Sequence, residues 1–329
     1  MSRSSGTFCH EKVIIREGYG KCKPTEFSEC CVVLTLEQPK NASPDAVKSV
    51  GYELDKEIKI SVGHGITHIA CTVDLCVLTM FEGEMCRLRT KCTAEPEAAE
   101  DVDFFTLELT LLSFVAADDV HSTSYENKMV RAVTLKDLGT AAFIGGSASA
   151  AFQKFSRSLK YIACAEVQND KPVASCGHDS ILLDGGDDGN KIGNESHPDV
   201  TANGHVSDLS SFTCEDIARL TCQCWLNLAA CQLRYRNFKM AAVNCSKALD
   251  IYPDSVKALF RRAQCNIKTG NEHTALADLE RAITLEPGNR EVKRLLVTAR
   301  QLTREGDDKL AAALSKMFRW QAARHRNLL

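Results

Sequence analysis

Residues 256–289, VKALFRRAQCNIKTGNEHTALADLERAITLEPGN, decide the fold of the second half of the chain. Apolar residues recur every three or four positions on both sides of Gly270–Asn271, which is the pattern of two amphipathic helices joined by a turn. Pro287 follows the second apolar pattern and ends it, because proline lacks the backbone N–H that a continuing helix needs. The stretch therefore predicts a helical hairpin.

The hairpin is one copy of a repeat. A shift of 34 residues superposes Ala229 on Ala263, Ala241 on Ala275, Ala248 on Ala282 and Pro253 on Pro287. This period and this pattern of small residues are typical of tetratricopeptide repeats, in which about three units are needed for stability. A further copy lies upstream, where Gly139, Ala151 and Phe155 take the corresponding positions.

The pattern predicts an all-α tetratricopeptide-repeat domain. Its expected units are repeat one at 125–162, repeat two at 214–255, repeat three at 256–289, and a capping and extension helix at 290–329. Within the last unit, helical patterns run from Arg290 to Arg304 and again from Asp308 to about His325.

Residues 163–213 separate the first two repeats and are rich in polar and acidic residues. Nine acids stand against two lysines between Glu166 and Asp208, a composition too polar to order itself around a core. We therefore predict a disordered acidic loop. Its stretch DGGDDGNKIGNE resembles a calcium-binding loop at Asp184, Asp188, Gly189 and Glu195. Glycine stands at the ligand position three of that loop, and this favours a solvated loop without metal.

Composition excludes several function classes. The net charge of −3 gives no reason to expect nucleic acid or an anionic membrane as a partner. No long apolar run marks a signal peptide or a membrane helix, so the 16 cysteines are expected to be reduced thiols in a cytoplasmic, and also nuclear, protein. His64, His68, Cys71 and Cys76 lie close together in sequence, but without a CxxC pair they are expected to pack rather than bind zinc. We expect no cofactor.

The first half alternates between apolar and polar residues. CCVVLTLEQ, EIKISVG, EMCRLRTKC and FFTLELTLLSF have the pattern of strands, and one helix is expected from Thr67 to Leu78. Residues 12–116 therefore predict an antiparallel α+β domain, preceded by a flexible N-terminus, residues 1–11.

Three segments of this domain carry a family resemblance. KVIIREGYG, LTLLSF and MFEGEMCRLRT, the last through Met80, Gly83 and Leu88, resemble the opening, final and intervening strands of FKBP-type prolyl isomerase domains. The resemblance implies a pocket walled by aromatic residues with a tryptophan at its floor.

That pocket is degenerate in this chain. Val73 stands at the tryptophan position, Leu107 belongs to the same degenerate pocket, and the loop TAEPEAAEDVD, residues 93–103, holds no aromatic residue. Without those walls we expect little or no isomerase activity, although an active prolyl isomerase remains the alternative.

Cations and an amide gather on the first helices of the repeats. Lys257 and Arg261 share one face of a helix, because they are four residues apart. Asn227 precedes Arg261 by one repeat, and Lys136 lies on the first helix of repeat one. Such groups suit carboxylates, and the set resembles the carboxylate clamp of co-chaperone repeat domains, in which a residue such as Thr140 follows the first lysine. The resemblance implies binding of the acidic C-terminal tail of the 90-kDa heat-shock chaperone.

The whole chain resembles divergent FKBP-type immunophilin co-chaperones through LNLAACQL, VKALFRRAQ and LSKMF. This resemblance implies client proteins of the steroid-receptor or cell-cycle-inhibitor type. The leading hypothesis is a non-enzymatic adaptor. A tethered isomerase and a repeat scaffold without a chaperone partner are the alternatives.

The C-terminal tail LSKMFRWQAARHRNLL, residues 314–329, interleaves apolar and basic residues. A basic amphipathic helix of this kind is a candidate target for calmodulin. A frayed extension of the last helix is the alternative.

Overall fold

The chain folds into an N-terminal sheet domain and a C-terminal helical domain. A computed structural model describes residues 10–38, 48, 50–91, 104–169 and 212–326. Within these ranges a five-stranded sheet with one helix precedes seven further helices, which confirms the predicted α+β domain followed by an all-α repeat domain. Three predictions concern residues outside the described ranges: most of the flexible N-terminus, the loop 93–103, and the stretch with Asp184, Asp188, Gly189 and Glu195.

The sheet is antiparallel, with the strand order β1-β4-β5-β2-β3. Its strands are β1 (His10–Arg16), β2 (Glu29–Gln38), β3 (Glu57–Ser61), β4 (Met85–Lys91) and β5 (Phe104–Val115). Helix α1 (His68–Val77) begins after Thr67, whose side chain accepts a hydrogen bond from the backbone N–H of Ala70, as N-cap residues do. The helix shares one apolar core with the strands, which confirms the helix predicted between β3 and β4.

The helical domain is a series of paired helices. They are α2 (Tyr125–Ile144), α3 (Ala148–Asn169), α4 (Cys214–Arg234), α5 (Phe238–Ile251), α6 (Val256–Thr269), α7 (Glu272–Leu285) and α8 (Arg290–Arg326). Helices α2 and α3, α4 and α5, and α6 and α7 pack as pairs, and α8 covers α7. None of the helices in the described ranges is long and apolar enough to cross a lipid bilayer.

Small residues set the distance between paired helices. A Cβ atom at Gly139 would lie 2.7 Å from the ring of Phe155, so even alanine would force that ring to move. Ala229 and Ala263, which take the same position in the next two repeats, are completely buried. Close packing of the paired helices therefore requires small residues at the positions that identified the repeat.

Two helix boundaries differ from the prediction. The acidic loop was expected to begin at residue 163, which is wrong, because α3 continues to Asn169. Its last turns stay helical because Ile162 and Ala165 are buried in a cluster with Ile217 of α4. The two helical stretches expected in the last unit are one continuous helix, and Gly306 lies within it without interrupting it.

Candidate functional site

The clamp set, defined as Lys136, Thr140, Asn227, Lys257 and Arg261, is spread over the first helices of three pairs. Lys136 and Thr140 lie on α2, Asn227 lies on α4, and the other two lie on α6. Helix α4 contacts both α2 and α6. The set therefore occupies three adjacent helices, which we call the first-helix layer.

Arg261 is the most deeply placed member of the set. Its Nη1 donates a hydrogen bond to the carbonyl oxygen of Leu226 on α4, 2.8 Å away. Burial lowers the pKa of Arg261 below its usual range, and the neighbouring thiols of Cys245, Cys231 and Cys265 oppose that shift. No ion pair to Arg261 is found among the residues that the structure describes. The guanidinium is thus a largely desolvated cation that still has N–H donors to offer.

Lys257 and Asn227 are close in sequence to the two residues of this hydrogen bond. Lys257 is exposed one turn before Arg261 on α6, so its ammonium can reach the same ligand. Asn227 is half-buried and follows Leu226, whose carbonyl anchors Arg261. The three residues therefore lie on the neighbouring helices α4 and α6, and Arg261 connects these helices through the carbonyl oxygen of Leu226.

Lys136 already has an ionic partner in the structure, which the sequence did not predict. Its Nζ pairs with the carboxylate of the adjacent Asp137, and Thr140 donates its hydroxyl to the carbonyl oxygen of Lys136, 3.0 Å away. Burial raises the pKa of Cys224 on α4 to about 11, and the charge of Lys136 opposes the rise, so Lys136 lies near that helix. A peptide carboxylate that binds Lys136 would have to compete with the carboxylate of Asp137. The sequence did not predict this intramolecular competitor.

Val73 and Leu107, the two residues assigned to the degenerate pocket, lie in the core of the sheet domain. Val73 on α1 and Leu107 on β5 both have 0% of their surface exposed. They belong to one continuous core with Met80 and Leu88. Neither of these two side chains therefore offers exposed surface to a ligand in this structure.

A buried contact between the two domains was not expected from the sequence. Lys154 on α3 lies with its Nζ 3.8 Å from the carboxylate of Asp74 on α1, and both side chains are 1% exposed. The same Nζ donates to the carbonyl oxygen of Gly63. Nearby, Arg157 lies 3.0 Å from Glu26 in a second pair between the domains.

One sequence signal could have drawn attention to Lys154. It lies 90 residues before Asn244 and 124 before Asp278, which are equivalent positions in the second helices of the repeats. All three polar side chains are buried. Asp278 has its own partner in Arg262, 2.7 Å away, whereas the partner of Lys154 lies in the other domain. A buried polar position thus recurs in every repeat.

Three of the four residues considered as a zinc site have separate hydrogen-bond partners: His68, Cys71 and Cys76. Cys76 lies 3.5 Å from Cys86, and Cys71 donates to the carbonyl oxygen of Gly65. Burial lowers the pKa of His68 to about 4, so this ring is neutral near pH 7. Among the described residues no group of three His, Cys, Asp or Glu side chains could hold a metal ion.

Comparisons with known proteins agree with both domains. No family model matches the chain. It is 34% identical over 112 residues to the peptidyl-prolyl cis-trans isomerase FKBP4 of Bos taurus, covering 33% of this chain and 24% of that protein. It is 25% identical over 309 residues to the FK506-binding protein-like of Homo sapiens, covering 94% of this chain and 70% of that one. The match spans only about a quarter of the length of the first relatives.

One similar solved structure contains a bound peptide. The first TPR of Spaghetti (RPAP3), bound to the HSP90 peptide SRMEEVD, aligns with 54% of this chain and 98% of its own at 17% identity, with a TM-score of 0.35.

Proposed function

We propose that the chain, which is similar in sequence to FKBP-type proteins and carries C-terminal helical repeats, is an FKBP-type co-chaperone adaptor. Its clamp set binds the acidic carboxyl terminus of the 90-kDa heat-shock chaperone, and its sheet domain presents client proteins. The observation that carries this proposal is Arg261, a largely buried cation without a carboxylate partner in the described chain.

The chemistry of this position favours a carboxylate ligand. A cation removed from water interacts strongly with an opposite charge, because the effective dielectric constant is low. Arg261 has donors left for a bidentate contact, Lys257 adds a mobile positive charge, and the amide of Asn227 can hold a backbone or terminal carboxylate. Capture of a C-terminal carboxylate is a known mode of peptide recognition.

Titration calorimetry with the peptide SRMEEVD tests the proposal. We expect binding of the free acid and at least a tenfold weaker affinity for the same peptide with an amidated C-terminus, because amidation removes one full charge. Equal affinities, or no binding of either peptide, would favour a repeat scaffold without a chaperone partner.

We expect little or no prolyl isomerase activity, because Val73 stands where the resemblance to FKBP-type domains implies a tryptophan and the loop 93–103 holds no aromatic residue. The assay is the cis-trans isomerisation of a proline-containing peptide with the full chain, since Asp74 of the sheet domain is buried against Lys154. An active isomerase run beside it is the control. A rate proportional to the concentration of this protein would establish the alternative, an enzyme recruited to the chaperone.

The sheet domain has one surface suited to clients. The edge strand β1 exposes about half of Val13, Ile14 and Ile15, and exposed apolar patches mark interaction sites. We propose that its clients are of the steroid-receptor or cell-cycle-inhibitor type. The proposal also places the protein in the cytoplasm and the nucleus.

A second candidate partner is calmodulin, because α8 exposes several large apolar side chains near its end. Met317 is 45% exposed, and Phe318 and Trp320 are each 61% exposed, beside Lys316 and Arg319. In a Trp225→Phe variant, Trp320 is the only tryptophan. We expect its emission to shift to shorter wavelength with calcium-loaded calmodulin and to return when calcium is chelated. An unchanged spectrum would leave α8 as an extension of the capping helix.

A further inference from the structure

The cationic surface of the first-helix layer continues beyond the clamp set. Arg234 follows Asn227 by seven residues, and Lys268 follows Arg261 by seven, so these two cations are themselves 34 residues apart. Seven residues make nearly two helical turns, which returns a side chain to the same helix face about 10.5 Å further along. Arg234 and Lys268 are both exposed. We call these two exposed cations, which take equivalent positions on the neighbouring helices α4 and α6, the second cationic pair.

Arg234 reaches toward the neighbouring first helix. Its guanidinium carbon lies 5.9 Å from the centre of the Phe143 ring on α2, within the range of a cation–π contact. A Cβ atom at Gly146, in the turn after α2, would lie 4.0 Å from Nη2 of Arg234. The side chain therefore bridges the space between α2 and α4.

One buried thiol lies close to a member of the clamp set and to a member of the second cationic pair. Burial raises the pKa of Cys231 to about 12, and the charges of Arg261 and Arg234 both oppose that rise. Both guanidinium groups consequently lie near one buried thiol between the clamp set and the second pair. The segments that connect the pairs, LAACQLR at 228–234 and RAQCNIK at 262–268, contain no acidic residue. Nothing along these two segments would repel an acidic peptide.

We propose that Arg234 and Lys268 form a second anion site, which binds an acidic side chain three residues before the terminal carboxylate of the peptide. An extended peptide advances about 3.3–3.6 Å per residue, so three residues span the distance of about 10.5 Å between the two sites. In SRMEEVD the residue at that place is glutamate. The proposal rests on the proposed function, because it needs the terminus to be held by the clamp set.

A cycle that pairs protein variants with peptide variants tests the second site. Calorimetry compares SRMEEVD with SRMQEVD on the wild-type chain and on the Arg234→Gln/Lys268→Gln variant. We expect the wild type to bind the glutamate peptide about fivefold more tightly, the upper range for partly exposed ion pairs, and the double variant to bind both peptides equally. Lys239→Gln is the matched control, because Lys239 is an exposed lysine on α5, outside the first-helix layer.

The outcomes separate the two proposals. If Lys257→Ala weakens SRMEEVD binding but the double variant still prefers glutamate, the second site is wrong and the proposed function stands. If the double variant lowers the affinity for SRMEEVD and the affinity for SRMQEVD by the same factor, the two cations act only through general charge. The second site is then again wrong. If the wild type does not bind SRMEEVD, both proposals fail.

Discussion

Replacing Lys257 or Arg261 with alanine is expected to weaken binding of SRMEEVD by about 2–5 kcal/mol, the range for truncating one partner of a desolvated charge pair. This corresponds to about 30-fold to several thousand-fold in Kd. Arg261 should give the larger loss, because its guanidinium is largely desolvated whereas Lys257 is exposed. Titration calorimetry with each variant measures the change.

The Arg261 variant needs a control for folding. Arg261 also bonds the carbonyl oxygen of Leu226, so its removal can loosen the contact between α4 and α6 as well as remove a ligand contact. Lys257→Ala is the second clamp variant, and Lys257 is exposed on the same helix. Lys239→Ala on α5 serves as a neutral comparison, and thermal unfolding of all three variants shows which of them keep the native fold. Affinities within twofold of the wild type for both clamp variants would contradict the clamp.

The repeat fold could be predicted because its packing imposes a register on the sequence. Small residues recur at a 34-residue interval at Ala229 and Ala263. Gly139 takes the same position in repeat one, where it packs against Phe155. The sheet domain could be predicted from alternation, because its apolar side chains face a single core. Helix ends were less predictable. Whether α3 stops at 162 or 169 depends on the contact of Ala165 with another helix, and local sequence does not carry that information.

The candidate site could be predicted only in part. The 34-residue spacing of the repeats placed Asn227 and Arg261 on adjacent helices. It could not show that Arg261 is largely buried and bonded to Leu226. It also could not show that Asp137 pairs with Lys136. These features arise from side-chain conformations that depend on packing between helices. Asp74 and Lys154 are 80 residues apart in sequence, and no local pattern links them.

Replacing Lys154 with methionine is expected to destabilise the full chain by about 3–5 kcal/mol, because it leaves Asp74 as an uncompensated buried charge. The carboxylate of Asp74 accepts hydrogen bonds from the Tyr52 hydroxyl at 2.8 Å and from the Gly65 backbone N–H at 2.9 Å. These bonds fix Asp74 in place and prevent it from turning toward water. Chemical denaturation measures the loss, and Lys160→Met, an exposed lysine on the same helix, is the matched control.

A second change and the pH dependence separate loss of charge compensation from loss of packing. Adding Asp74→Asn to Lys154→Met removes the orphaned charge, so most of the lost stability should return. Burial raises the pKa of Asp74, and the charge of Lys154 opposes this shift, so the single variant should raise that pKa further. A raised carboxyl pKa means that the folded state binds a proton more readily than the unfolded state, and the stability loss therefore grows as pH rises through the folded-state pKa. The loss of stability should be smaller near about pH 5 than near about pH 8. A loss that is the same at both pH values and persists in the double variant would instead assign Lys154 a packing role alone.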